Sequence, residues 1–200
     1  PLLDLPNKFL HTNFKLSSTG EDLFLTNPQS VTVDQISFGS IGQDISYGRK
    51  PDGSSSWLLF TEATPGDSNT TQGFSGITAN PIVSISSGFY SSPITINIIT
   101  GTVNDIVYFT LDGSEPKETS QIYSTPILIN STKVLRAKAF STGLLPSKTI
   151  TNTYFINFST PLTVVSLSTE PGNLFDEEYG IYALGNSAEP SISSFGANCW

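Results

Sequence analysis

The stretch YFTLDGSEP, residues 108–116, sets alternating apolar residues directly before an Asp112-Gly113 pair. Asp-Gly takes the positive φ angles of a tight hairpin turn at little steric cost, and Ser114 and Asp112 can bond back to local amides. Pro116 has no N–H to give to a strand ladder, so it stops one. The stretch therefore reads as strand, tight turn and stop. The rival reading joins Asp112 to Glu115 and Glu118 as a cation loop, which their spacing supports only weakly.

The same alternation recurs on both sides of it. Ile94, Ile96 and Ile98 share a face in PITINII, as do Val107, Phe109 and Leu111 in IVYFTL. In VLRAKAF, Leu135, Ala137 and Ala139 lie opposite Arg136 and Lys138. A period of two marks half-buried antiparallel strands, and helical spacing is almost nowhere present. Gly20, Asn27-Pro28, Asp52-Gly53, Pro65-Gly66, Ser87-Gly88, Asp112-Gly113 and Gly143 punctuate the chain at the intervals of a β-sandwich. Residues 64–81 carry little hydrophobic pattern and read as a linker, and a second boundary falls near residues 157–161. Beyond it, LTVVSLST reads as an apolar strand, followed by a turn-rich segment crowded with acidic and aromatic residues.

Composition narrows the function classes. The chain has 200 residues, enough for one large or two small domains, and two are expected. Only 13% are charged, while 13 Phe and 7 Tyr supply aromatics for packing. With 17 acidic against 9 basic residues the net charge is -8, and the cations are scattered. Nucleic acid is not an expected partner, because backbone binding needs a basic patch. No apolar run approaches a bilayer span, so no membrane insertion is expected. The absence of Met, even at position 1, points to an excised or processed piece. The single Cys199 forms no internal disulfide, leaving stability to packing. The sequons at Asn69, Asn130 and Asn157 are coincidences of an Asn- and Thr-rich chain.

Few residues are chemically armed. Asp176, Glu177 and Glu178 precede Gly180 but lack regular calcium-ligand spacing, and read as a solvated acidic turn between aromatic anchors. His11 is the only histidine and has no ligand set around it; no G-x-S-x-G elbow would serve it in a triad. Cys199 lacks a base, and GSIGQ at Gly39 lacks the Lys and helix of a phosphate loop. No catalytic, metal or cofactor-binding residue is expected. Among Trp57, Tyr47, Phe89, Tyr90 and Tyr123, a sugar-stacking platform is conceivable, with Tyr90 and Tyr123 as the candidate glycan contacts.

Three resemblances follow from longer motifs. Residues 10–69, with FKLSSTGEDLFL, DISYGRKPDG and the closing TPGDSN, resemble the second half of a bacterial lamin-tail domain, an immunoglobulin-like sandwich whose early strands are not evident before it. Residues 81–157, with VYFTLDGSEP, IYSTPI and VLRAKAF, are similar to the small β-sandwich at the C-terminus of chitobiases and β-hexosaminidases. PLTVVSLSTEPGNLFDEEYGIYALGN resembles the opening segment of the spore-coat-protein-H-like kinase family, whose ATP- and metal-binding residues lie downstream of that run. The FGANCW ending, aromatic and without a polar tail, leads to the expectation that a further domain has been cut away.

These resemblances imply an all-β chain of two consecutive immunoglobulin-like β-sandwich modules plus a short C-terminal segment. The expected division is a partial lamin-tail-like sandwich at 1–69, a linker at 70–80, a hexosaminidase-C-terminal-like sandwich at 81–157, and the opening of a truncated kinase-like domain at 158–200. They imply a non-catalytic accessory or structural fragment of a larger bacterial secreted or cell-surface protein, monomeric, spacing or tethering a downstream domain. The alternatives are a carbohydrate-binding or adhesion module that meets polysaccharide or cell-wall glycan, and part of an ATP-dependent atypical kinase whose core lies elsewhere.

Overall fold

The computed structural model describes residues 14–170 and 172–182, and its regular elements are thirteen strands and one short helix. His11 and Cys199 lie outside the described residues. No helix among the described residues is long and apolar enough to cross a membrane. The chain divides into two compact units, Pro1–Ser75 and Gly76–Trp200.

In unit 1, β1 (Gly20–Thr26) pairs antiparallel with β2 (Thr32–Gly39), and β3 (Ser46–Arg49) with β4 (Trp57–Phe60). Asn27 closes the first hairpin, its Oδ1 accepting from the amides of Gln29 and Val31. Leu23, Ile36, Phe38, Ile45 and Trp57 line an open apolar groove of about 400 Å³ between the two hairpins. Arg49 joins them, with Nη2 2.7 Å from Asp34 Oδ1 and its guanidinium 4.8 Å from the centre of the Trp57 ring.

The motif residues of the closing TPGDSN have a definite task here. Asn69 Nδ2 donates to Arg49 O at 2.8 Å, its amide donates to Asp52 Oδ1 at 3.1 Å, and its Oδ1 accepts from Thr64 Oγ1 at 3.2 Å. One side chain thus ties the TPG turn to the PDG turn, and Gly66 supplies the positive φ of +85° that the turn requires.

Residues 70–80, expected as a linker, are hydrogen-bonded on both sides of the division. Phe74 exchanges two backbone bonds with Leu59 of β4, while Leu145 donates to Gly76 and accepts from Thr78. The weak hydrophobic pattern of this stretch reflects edge positions, where the backbone bonds and few side chains are buried.

Unit 2 contains the larger core. A five-stranded sheet runs in the order β10 (Gln121–Ile122), β9 (Ile106–Thr110), β12 (Lys133–Phe140), β13 (Ile150–Ile156), β6 (Gly88–Tyr90). Its neighbours are antiparallel except β13 and β6, which are parallel. Two further pairs accompany it: β5 (Ile82–Val83) with β8 (Ile98–Ile99), and β7 (Ile94–Ile96) with β11 (Ile127–Ile129). Between β7 and β8 the ladder is broken at Asn97, whose amide donates to Ser84 Oγ. The expected faces are observed: Ile96, Ile98, Val107, Phe109, Leu135, Ala137 and Ala139 meet Ile127, Ile129, Tyr154 and Ile156 in one buried cluster. Tyr154 satisfies its phenol by donating to Ile85 O at 2.7 Å, and burial pushes that phenol up to about 12.

Asp112-Gly113 is a turn, but not the two-residue hairpin turn expected. Gly113 adopts φ +84° while Asp112 stays at negative φ, so the geometry that needs two positive angles does not form. β9 instead reaches β10 through residues 111–120. After Tyr154 and Ile156 the strand region ends, and α1 (Gly172–Phe175) is the one helix among the described residues.

Candidate functional site

Strand alternation in unit 2 sends Arg136, Lys138, Thr151, Thr153 and Phe155 to the side of the five-stranded sheet opposite the core. Two different surfaces result there, one ionic and one uncharged.

The ionic surface lies beside the Asp112-Gly113 turn. Asp112 Oδ1 accepts from the Ser114 amide at 3.0 Å and from Ser114 Oγ at 2.6 Å, and these bonds hold its carboxyl below the ordinary value of 3.8. Glu115 does not join Asp112; its carboxylate pairs with Arg136 Nη2 and with Lys138 Nζ at 3.4 Å, and accepts from Thr149 Oγ1. Among the described residues no three His, Cys, Asp or Glu side chains are grouped as a metal site.

A C-terminal strap crosses this surface. Ser166 Oγ bonds Thr153 Oγ1 at 2.7 Å, Ser168 Oγ reaches Gly113 O at 3.5 Å, and Glu170 accepts from the Glu115 amide while its Oε1 lies 4.0 Å from Arg136 Nη1. Arg136 Nη1 also donates to Gly113 O at 3.2 Å. The Asp112-Gly113 turn is therefore a docking post for residues 166–170. Beyond the strap, Asp176 Oδ1 accepts from the amides of Glu178 and Tyr179, so the DEE run is a side-chain-capped turn.

The uncharged surface is a groove of about 560 Å³ between β6, β13 and the strap. Ser87, Thr151, Thr153, Ser166 and Ser168 supply hydroxyls, and Phe89 and Phe155 supply rings; no charged side chain lines it. Phe89 and Phe155 are register partners on the parallel pair and stack with centres 4.7 Å apart and planes 14° apart. Phe158 adds a third ring, 5.6 Å from Phe155 and 6.1 Å from Phe89. Phe89 remains 54% exposed and Phe158 46%.

Tyr90 and Tyr123 sit elsewhere. Both pack against the buried cluster, and Tyr90 lies 6.2 Å from the Tyr154 ring with its hydroxyl donating to Ser86 O at 2.7 Å. Of the adjacent Phe89 and Tyr90, the strand exposes Phe89 and turns Tyr90 inward. Tyr47 and Trp57 pair with each other in unit 1. Phe155 and Phe158 were not among the candidate aromatics; once Tyr154 and Ile156 are assigned inward, period two alone directs Phe155 outward.

Residues 85–151 match the family model of the chitobiase/β-hexosaminidase C-terminal domain. That match spans β6 to the start of β13 and includes the DGSEP turn. No curated protein and no solved structure matches the chain.

Proposed function

We propose that this chain is a non-catalytic accessory part of a larger bacterial secreted or cell-surface protein, spacing and tethering a downstream domain. The match at residues 85–151 is to a C-terminal appendage of carbohydrate-active enzymes, whose chitobiase member is non-catalytic, and it supports the accessory role. The single observation that carries the tethering role is the strap: Ser166, Ser168 and Glu170 are bonded to three separate points of the module, so whatever follows is held at a set position instead of swinging on a loose chain. In this architecture residues 10–69 act as a lamin-tail-like piece, and residues 158–200 as the opening segment of a kinase-like domain.

The test is backbone ¹⁵N relaxation on the intact 200-residue chain. Residues 166–176 should share the relaxation of β12 and β13, and Glu170→Ala with Ser168→Ala should release them to fast motion. A wild-type strap that already moves as an independent tail sinks the tethering role.

A further inference from the structure

We infer that the groove bordered by Phe89, Phe155 and Phe158 binds a neutral glycan, with pyranose rings laid on the phenyl surface and hydroxyls bonded by Thr151, Thr153 and Ser166. This goes beyond the spacing role but rests on the same docked strap, since Ser166 and Ser168 line the groove. Three observations converge on this ligand chemistry.

Exposed aromatics come first. A large phenyl surface left in water is unfavourable, and here two of three mutually contacting rings are about half exposed. The carbon-bound hydrogens of a sugar face cover such a ring without asking it for a hydrogen bond. The lining comes second. Serine and threonine hydroxyls each donate one hydrogen bond and accept others, which suits a ligand whose own groups do both. Thr153 and Ser166 already bond each other, Ser87 Oγ donates to Asn152 Oδ1 and Ser168 Oγ reaches Gly113 O, so these hydroxyls are fixed in place before a ligand arrives.

Charge comes third, and it selects among ligands. No cation lines the groove, and Arg136, whose Nε donates to Thr151 Oγ1 at 3.3 Å, is engaged by Glu115. A nucleic acid or a sulfated or anionic glycan would find no partner there, and the net charge of -8 opposes its approach. A hydrocarbon ligand would strand the hydroxyls without bonds. The volume of about 560 Å³ falls inside the roughly 300–1,000 Å³ range of small-molecule sites.

The decisive experiment titrates the whole chain with chitohexaose, cellohexaose and xylohexaose, followed by amide chemical shifts and isothermal calorimetry. At least one should give saturable binding with shifts centred on Phe89, Thr153, Phe155 and Ser166. Phe89→Ala should weaken it about tenfold or more, and Ile122→Ala, on the strand at the opposite edge of the sheet, should leave it unchanged. If Phe89→Ala disturbs the fold, Phe158→Ala and the wild-type shift map decide. No binding of any of the three sugars overturns the assignment, as does binding whose shifts centre on Tyr123 or in unit 1. The strap is read by relaxation and the groove by titration, so a docked strap without sugar binding is distinguishable from a strap that was never docked.

Discussion

Unit 2 gathers eleven residues into one buried cluster, with Leu135, Ala137 and Ala139 fully withdrawn from water. In unit 1, Phe60 is the one hydrophobic side chain among the described residues buried to that degree, while Phe24, Leu25 and Val33 are each more than 60% exposed. Both units are built from paired strands with alternating side chains, so alternation is not what separates them. In unit 2 the apolar face of a five-stranded sheet meets the isoleucines of β7, β8 and β11, whereas unit 1 offers two hairpins and the open groove between them. A period of two states which side chains share a face, and stability comes only when a second layer covers that face.

The largest test of that contrast is Leu135→Ala, which leaves a void at the centre of unit 2 and should cost about 2–5 kcal/mol in urea unfolding followed by far-ultraviolet dichroism. A loss below about 1 kcal/mol would mean that the cluster is far looser than its burial implies. Next is Tyr154→Phe, which keeps the ring but leaves the part-buried Ile85 O without its donor; about 1–2 kcal/mol should be lost. Asn69→Ala should cost unit 1 a similar 1–2 kcal/mol, visible as a shift in Trp57 fluorescence on unfolding, since polar side-chain bonds stand in for the core that unit 1 lacks. If Asn69→Ala is silent while Phe60→Ala is severe, unit 1 too depends on apolar packing. Phe24→Ala should change stability by less than about 0.5 kcal/mol, because a side chain already in water has little burial to lose.

The smallest effect should not distinguish the units at all. Asp34 and Asp52 in unit 1 and Asp105 and Asp112 in unit 2 are all held below the ordinary carboxylate value, chiefly by hydrogen bonds from Arg49, Ser68, Ser141 and Ser114 respectively. The unfolded chain takes up these protons first as pH falls, so their contribution is complete near neutrality and declines below about pH 4. Urea midpoints should therefore stay level from pH 7 to 5 and then drop modestly for both units. A rise in stability below pH 4 would contradict the assigned bonds.

Much of unit 2 was legible because its signals are local. Leu135, Ala137 and Ala139 alternate with Arg136 and Lys138 within one strand, and nothing distant is needed to see it. The DGSEP turn was half legible: its chemistry named a turn, but whether one or two residues take positive φ depends on the loop to β10, which is not a local property. The groove was less legible still. Phe89 and Phe155 lie 66 positions apart and meet only because β6 runs parallel beside β13. Phe89 and Tyr90 both read as platform aromatics with Tyr90 as the candidate contact, yet which of two adjacent aromatics faces out is set by register. In unit 1, the motif residues of TPGDSN could be seen as a pattern, but the bond from Asn69 to Arg49 O crosses 20 positions and follows only from the folded turns.

The parallel pairing of β6 with β13 also has a mechanical meaning. The chain comes in at the head of β6 and leaves from the tail of β13, and these lie at opposite ends of the pair, with Tyr154 beside Gly88 and Ile156 beside Tyr90. Once the contacts outside the pair have given way, the bonds of residues 76–78 and β5 on one flank and the strap on the other, a pull slides one strand along the other and loads their bonds together, whereas a terminal antiparallel pair would peel open one bond at a time. Forced unfolding is governed by the rate of crossing that barrier, not by equilibrium stability. A module strung in line under tension would gain durability from this arrangement without any addition to its core.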